Sequence, residues 1–194
     1  MAMKPEDVLR LIAARRGDAI CVPTMTTAPA WRTIAPDDLS VGCVGFMGGA
    51  SSIGLGLALA HPERRVLVFD GDGSLLMQLG ALATNAGAAA PNFVHLLFKN
   101  NVYHTSGAQE IPGGEGVDFV LMAKGAGYRE AFAIRELADL ERRLPHILTA
   151  TGPLLVELHT TLADKTPMTA GMGTPFAQQV ETLREKLLAL DAAH

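Results

Sequence analysis

Asp72 and Asn101 are the side chains of this sequence whose positions point most directly to chemistry. Asp72 follows the apolar residues 66–69 closely, and Asn101 follows the apolar residues 93–98. If both runs are neighbouring strands of a parallel sheet, their carboxyl ends bring the two side chains to one edge, where ligand sites form. A carboxylate and an amide oxygen suit a hard cation, and Mg²⁺ usually needs substrate phosphates to complete its shell. The sequence therefore predicts a site for a metal-bridged diphosphate.

The segment Gly71-Asp72-Gly73-Ser74 is predicted to lead into a helix whose free N–H groups and dipole would attract a phosphate. Gly73 would let the backbone approach a ligand closely, and the Ser74 hydroxyl would cap the helix or bond a phosphate oxygen. By itself the tetrapeptide is equally typical of a tight turn with an aspartate cap. The 26 residues between Gly73 and Asn100 leave room for one helix and one returning strand, which favours the ligand site.

The composition excludes several classes of protein. With 194 residues, of which 48% are hydrophobic, the chain has ample material for a core. Its net charge of -4 argues against a nucleic-acid surface, which needs clustered Lys and Arg. Residues 41–60 are uncharged and long enough for a membrane span, but their many glycines predict a close-packed loop and helix instead. We expect a cytoplasmic protein in which Cys21 and Cys43 are buried, reduced thiols.

The order of the predicted elements alternates between strands and helices. Strands are predicted at residues 19–22, 40–44, 65–70, 93–98, 131–134 and 154–159. Helices are predicted from Pro5, and at residues 48–60, 75–85, 117–124, 136–143 and 178–190. Loops are predicted at residues 23–29 and 100–115, and a crossing segment at residues 160–174. This pattern predicts an α/β fold with one three-layer αβα domain over residues 1–194 and a mostly parallel sheet.

The two motifs resemble a known family. Residues 71–73, the 26 residues that follow and Asn100-Asn101 are similar to the signature of enzymes that depend on thiamine diphosphate. The glycine-rich residues 45–56 resemble the segment that precedes this signature in the decarboxylase branch. Residues 50–53 and 71–77 look most like the decarboxylases of sulfopyruvate (beta subunit) and phosphonopyruvate (C-terminal half). The resemblance implies the diphosphate-binding domain of such an enzyme, with thiamine diphosphate and Mg²⁺ as its cofactors.

The resemblance also implies a role for each matching residue. Asp72 and Asn101 would bind Mg²⁺ through their side chains, and the carbonyl of Tyr103 would be a third ligand. Met47 would be the apolar wedge that bends the cofactor, and the carbonyl of Gly45 would accept a hydrogen bond from its 4′-amino group. The remaining positions expected to bind the cofactor are Gly48, Gly71, Gly73, Ser74, Thr24 and Thr26.

Simpler interpretations of these residues stay open. Met47 could fill a gap in the core, Asn101 could be a turn residue, and Thr24 and Thr26 could be loop or cap residues. His104, next to Tyr103, is a candidate catalytic acid or base because imidazoles exchange protons near neutral pH. It could equally be a solvated histidine.

The resemblance implies a partner as well. In these enzymes a glutamate from a pyrimidine-binding domain activates the cofactor, and neither Glu63 nor Glu157 has the sequence context of that residue. We therefore predict one subunit of a split decarboxylase, a dimer or α₂β₂ assembly that releases CO₂ from a small 2-oxoacid. The alternatives are a carboligase or 2-oxoacid dehydrogenase subunit and a non-catalytic cofactor-binding subunit. A generic nucleotide-binding domain is disfavoured because no G-x-G-x-x-G follows the first strand.

Overall fold

The computed structural model describes residues 2–36, 39–162 and 174–192. Its strands are β1 (Ile20–Pro23), β2 (Val66–Gly71), β3 (Phe93–Lys99), β4 (Val102–Tyr103), β5 (Gln109–Glu110), β6 (Glu130–Ile134) and β7 (Leu154–His159). Its helices are α1 (Pro5–Ala13), α2 (Thr27–Ile34), α3 (Ala50–Ala60), α4 (Asp72–Met77), α5 (Ala81–Ala88), α6 (Phe119–Ala126), α7 (Leu137–Thr149) and α8 (Phe176–Asp191). No helix within these described ranges has the length and apolar character needed to cross a bilayer.

The main sheet has five parallel strands in the order β1-β2-β3-β7-β6. The central strands β2, β3 and β7 are buried on both faces and read as continuous apolar runs, as expected for a parallel sheet covered by helices. β6 lies at one edge, as predicted. β4 and β5 form a separate antiparallel hairpin in the loop that follows β3.

Two apolar layers enclose the sheet. On one face, Val66 and Val68 of β2 pack with buried residues of α3, α5, α6 and α8. On the other face, Leu67 and Phe69 pack with buried residues of α1, α2 and α7, among them Trp31. The alternation along β2 assigns successive side chains to opposite layers. The three-layer α/β architecture predicted from the sequence is therefore confirmed.

The segment predicted as a loop at residues 23–29 contains the start of α2, so that prediction was wrong. The Thr27 hydroxyl donates to the Thr24 carbonyl over 2.7 Å and accepts the Thr24 N–H over 3.0 Å, which fixes the turn into the helix. Pro29 lies in the first turn of α2, where a missing N–H breaks no helical hydrogen bond.

The strand predicted at residues 40–44 is present only as two isolated parallel bridges, Cys21 with Ser40 and Thr24 with Cys43. Backbone bonds such as Cys43 N–H to the Pro23 carbonyl (2.8 Å) still cover the outer edge of β1. This protects an edge that would otherwise expose unpaired backbone groups.

Other predicted boundaries also need correction. The helix predicted at residues 75–85 is two helices, α4 and α5, separated by a turn at residues 78–80, and α4 already begins at Asp72. The predicted helix 136–143 continues through Pro145 to Thr149, because Leu144 and Ile147 complete its buried face. The crossing segment predicted at residues 160–174 lies mostly outside the described residues. The helix predicted at residues 178–190 is confirmed by α8.

Candidate functional site at the carboxyl edge of the sheet

Asp72 and the Asn100-Asn101 pair meet at the carboxyl edge of β2 and β3, as the sequence predicted. The Asp72 Oδ2 atom accepts the backbone N–H groups of Asn100 (3.0 Å) and Asn101 (2.6 Å). Its Oδ1 atom accepts the N–H of Gly73 over 2.8 Å. Three backbone donors from two loops therefore fix the orientation of one carboxylate.

The Asp72 side chain is buried, with 2% of its surface exposed. Burial raises the pKa of its carboxyl, while the N–H donors of Asn101, Gly73 and Asn100 and the charge of Lys99 act in the opposite direction. A buried carboxylate of this kind is stabilised by a cation placed against it.

Asn101 has a side-chain oxygen that accepts no hydrogen bond. Its Oδ1 atom is buried and makes no hydrogen bond, and its backbone has φ of +62°. A buried polar atom without a partner costs free energy, so it is usually found where a ligand or ion completes it. This oxygen belongs to the same residue whose N–H contacts Asp72.

An open cleft, whose empty volume of about 440 Å³ includes open solvent, lies over this edge. The predicted site residues that line it are Thr24, Thr26, Met47, Gly71, Asp72, Gly73, Ser74, Tyr103 and His104. The cleft is also lined by residues without a predicted role, namely Met25, Thr27, Phe98, Asn100, Val102 and Thr105. Each of these residues is a sequence neighbour of a predicted residue or lies near the end of β3. That proximity in the sequence was the signal by which they could have been found.

Gly73 lies beneath the ring of Tyr103. A Cβ atom on Gly73 would come within 2.6 Å of Tyr103 Cε1, so only glycine fits there. The N–H of Gly73 is taken by Asp72 and is not free for a phosphate. This corrects the expectation that all the N–H groups of this turn are unpaired.

The glycine-rich loop before α3 reaches the cleft through Met47, while Gly45 and Gly48 are not among the lining residues. Both glycines have positive φ, +96° at Gly45 and +85° at Gly48. The N–H of Gly48 donates to Ser74 Oγ over 2.9 Å. The loop is thereby joined to the first turn of α4, and Met47 is held at the cleft wall.

The two threonines differ in their surroundings. The Thr24 hydroxyl donates to the Cys43 carbonyl over 2.8 Å and is buried. That hydroxyl therefore supports the isolated bridge between Thr24 and Cys43 beside β1. Thr26 is half-buried, and Met25 between them has φ of +43°.

Residues 21–158 match the family model described as thiamine pyrophosphate enzyme, C-terminal TPP binding domain. The chain belongs to this family. The matched range contains the Asp72 and Asn101 motifs, the glycine-rich loop and the whole main sheet apart from single terminal residues of β1 and β7.

Curated relatives agree with the family. The chain is 38% identical over 176 residues to a phosphonopyruvate decarboxylase of Streptomyces viridochromogenes, covering 90% of this chain and 43% of that protein. It is 41% identical over 115 residues to a sulfopyruvate decarboxylase subunit beta of Methanothermobacter thermautotrophicus, covering 59% of this chain and 58% of that subunit. The chain thus spans less than two thirds of the length of these relatives.

A solved structure confirms the fold. The benzoylformate decarboxylase of Polynucleobacter necessarius superposes with a TM-score of 0.72 at 19% identity, over 86% of this chain and 35% of that one. At this level of identity the match concerns the fold alone.

The residues at and beside the cleft fit a magnesium-bound thiamine diphosphate. Asp72 lines the cleft, whereas Asn101 does not line it and follows the lining residue Asn100. The donor set is a buried carboxylate and an unpartnered amide oxygen, which are hard ligands of the kind that Mg²⁺ prefers. Within the described part of the chain, no group of three or more His, Cys, Asp or Glu residues could hold a metal by itself. Oxygens of another kind, such as those of a diphosphate, are needed to complete the shell.

His104 begins a short 3₁₀ turn, His104–Ser106, at the tip of the β4–β5 hairpin. It lines the cleft, and its Nδ1 atom is buried without a hydrogen-bond partner. An imidazole nitrogen without a partner beside a ligand cleft is available to bind or exchange a proton with a bound molecule.

Proposed function

We propose that this chain holds thiamine diphosphate through Mg²⁺ in the cleft between the ends of β2 and β3. Asp72 and Asn101 bind the metal with their side chains, and the Tyr103 carbonyl is the third protein ligand. The observation that carries the proposal is the unpartnered, buried Asn101 Oδ1 in the residue that also fixes the Asp72 carboxylate.

The cofactor is contacted from both sides of the cleft in this proposal. On one side, the Ser74 hydroxyl meets the diphosphate, and Gly71 and Gly73 let the backbone approach it closely, while their N–H groups remain bonded to Asp70 and Asp72. Ser74 Oγ accepts from Gly48, which leaves its own proton free to donate to a phosphate oxygen. On the other side, Met47 supports the bent cofactor from below, with Gly45 and Gly48 shaping its loop. Thr26 is the remaining candidate, and Thr24 lines the cleft while its hydroxyl is bonded to the Cys43 carbonyl.

The reaction we propose is the decarboxylation of a small 2-oxoacid. Thiamine diphosphate supplies a nucleophilic carbon and an electron sink when it is bound. The chain's own residues orient it: Met47 fixes its shape, and the Asp72–Asn101 loops fix its charged end. His104 is placed to hold or move a proton at the substrate. The named relatives act on phosphonopyruvate and sulfopyruvate, which supports an anionic 2-oxoacid of that size.

A partner completes the site in this proposal. The family match concerns a C-terminal cofactor-binding domain, and the activating glutamate of such enzymes belongs to a pyrimidine-binding domain. Several relatives are named as a subunit beta, which supports a second subunit and an α₂β₂-type assembly. The free, buried Cys21 and Cys43 are consistent with the reducing cytoplasm.

The test uses the full chain mixed with a candidate pyrimidine-domain subunit, thiamine diphosphate and Mg²⁺. Release of CO₂ is measured with sulfopyruvate, phosphonopyruvate, benzoylformate and pyruvate, and product analysis separates decarboxylation from carboligation. Calorimetry measures cofactor binding for the wild type, for Asp72→Ala and for the exposed-carboxylate control Glu63→Gln. We expect Asp72→Ala alone to abolish binding. Unchanged affinity in Asp72→Ala would remove the basis of the proposal.

A further inference from the structure

Four polar side chains form a row of hydrogen-bonded residues inside the apolar layer beneath the site. Asp70 and His95 are fully buried, and Asn85 and Tyr128 are 1% and 5% exposed. They come from separate elements: Asp70 from β2, His95 from β3, Asn85 from α5 and Tyr128 from the turn after α6. None of them lines the cleft, and the proposed function assigns none of them a role.

The hydrogen bonds of these residues have a consistent order. Asn85 Nδ2 donates to the Tyr128 hydroxyl oxygen over 3.1 Å. The Tyr128 proton is then free to donate to His95 Nδ1, 3.4 Å away. That bond leaves the His95 proton on Nε2, which lies 3.3 Å from Asp70 Oδ2. Each donor thus points along the chain towards the Asp70 carboxylate.

The other carboxylate oxygen of Asp70 contacts the turn at residues 71–74, which carries the proposed metal ligand Asp72 and is called the metal loop below. Asp70 Oδ1 accepts the N–H of Gly71 over 2.9 Å. The next-but-one residue repeats this arrangement, because Asp72 Oδ1 accepts the N–H of Gly73. The Asp70 carboxylate therefore fixes the Asp70–Gly71 peptide, one residue before Asp72, and its own position is set by His95.

The stability of the fold does not explain why these four polar side chains are buried together. The surrounding layer consists of residues such as Val68, Leu82, Phe93 and Leu97. Replacing a buried polar or charged group and its partner by apolar residues of similar volume is often neutral or stabilising. A buried hydrogen-bonded network instead restricts the groups that it contacts to one arrangement.

We propose that Asn85, Tyr128, His95 and Asp70 form a positioning chain for the metal loop. The chain holds the Gly71 peptide, and through it the Asp72 carboxylate, in the orientation that a metal-bridged diphosphate requires. His95 and Tyr128 are positioning residues and touch neither cofactor nor substrate. This inference rests on the proposed function of the same loop.

Two substitutions of His95 separate the links of the chain. In His95→Gln the amide nitrogen occupies the position of Nε2 and keeps the donor to Asp70. In His95→Asn the amide oxygen occupies the position of Nδ1 and accepts the Tyr128 proton, so this contact remains and the donor to Asp70 is lost. His146→Gln, at an exposed histidine of α7, is the matched control.

The first readout does not depend on the cofactor. Amide hydrogen exchange of the full chain is expected to show loss of protection at Gly71 in His95→Asn, and retained protection in His95→Gln and in the control. Long-range ¹H–¹⁵N spectra are expected to show the Nε2–H tautomer of His95. An Nδ1–H tautomer, or unchanged Gly71 exchange in His95→Asn, overturns the proposed order of bonds.

The second readout is the affinity for Mn²⁺, used as a spectroscopic probe, at fixed thiamine diphosphate. We expect His95→Asn to weaken it by about 10-fold or more, as for other residues that orient metal ligands, and His95→Gln to restore most of it. The double variant Asp70→Leu/His95→Phe is expected to be as stable to urea as the wild type. Its affinity for Mn²⁺ is nevertheless expected to be below that of the wild type. Wild-type affinity in this folded double variant overturns the positioning role.

Asp72→Ala distinguishes the two proposals. If it abolishes Mn²⁺ binding while the double variant binds normally, only the positioning chain fails. If Asp72→Ala itself binds normally, the proposed function of the loop fails as well.

Discussion

The N–H of Gly48 donates to Ser74 Oγ over 2.9 Å and joins the glycine-rich loop to the first turn of α4. Gly48 also lies against the end of that helix, where a Cβ atom would come within 2.6 Å of Gln78 Cβ. One glycine therefore contacts both ends of α4. Because Met47 precedes it, the wall of the cleft and the turn that carries Asp72 are built as one unit.

Ser74→Ala tests this link. The substitution leaves the buried N–H of Gly48 without an acceptor, which costs about 1–3 kcal/mol. We expect urea unfolding to show that loss, and calorimetry to show weaker binding of thiamine diphosphate with Mg²⁺. Ser52→Ala, at an exposed position of α3, should change stability by less than about 0.5 kcal/mol. Equal stability of the two variants would contradict the structural role of the Ser74 hydroxyl.

Substitution by alanine is expected to have opposite effects at two glycines of α3. A Cβ atom on Gly54 would overlap the Val68 Cγ2 methyl of β2, whereas a Cβ atom on Gly56 would meet nothing within 4 Å. Gly54→Ala is expected to destabilise by about 1–3 kcal/mol through overpacking. Gly56→Ala is expected to stabilise by about 0.5–1 kcal/mol through lower chain entropy in the unfolded state. Urea midpoints that move in the same direction would show that α3 does not pack on β2 as described.

The central strands and the two proposed metal ligands could be predicted from the sequence for a simple reason. A strand buried on both faces is a continuous apolar run, and polar residues just after two such runs must meet if the strands are parallel neighbours. Asp72 and Asn101 met both conditions. The glycine-rich loop was recognised by its resemblance to a family, since its composition alone is also typical of close helix packing.

Features that depend on tertiary contacts could not be predicted in this way. The turn between α4 and α5 has no proline, and Gln78 is held there by its packing against Gly48. The start of α2 depends on bonds between Thr24 and Thr27 that no periodicity reveals. The pairing of Asp70 with His95 depends on the register between β2 and β3, in which Val68 lies opposite His95.

The charge state of His159 should shape the stability of the protein in mild acid. Burial lowers the pKa of His159 below its usual value of 6.5, Glu157 opposes this shift and Arg135 reinforces it. Between the lowered pKa and 6.5 the unfolded state binds more protons than the folded state, so stability falls as the pH drops from 6.5. His159→Gln is expected to flatten this part of the curve of unfolding free energy against pH.

The control for this pH series is Ser52→Ala, at an exposed position of α3 that carries no titratable side chain. We expect it to keep the wild-type slope below pH 6.5. A slope in His159→Gln that equals the wild-type slope would show that His159 has the same pKa in the folded and unfolded states.

The substitution Asn101→Gly distinguishes a role of this side chain in metal binding from a role in the stability of the fold. The side chain that it removes has a buried oxygen without a partner, and glycine accepts the φ of +62° without strain. The N–H that donates to Asp72 is retained. We therefore expect the ligand-free variant to be at least as stable as the wild type in urea. Its affinity for Mn²⁺ at fixed thiamine diphosphate should fall by at least about tenfold, or about 1.4 kcal/mol.

Two controls make the Asn101 result specific. Ala89→Gly also relieves a positive φ, +50° at the end of α5, and should leave Mn²⁺ affinity unchanged. Asn92→Ala removes an amide that donates to the carbonyls of Ala58, His61 and Arg64, so it should lower stability without changing the metal site. If Asn101→Gly instead loses stability as Asn92→Ala does and binds Mn²⁺ normally, the Asn101 side chain is structural, and the metal must be held without it.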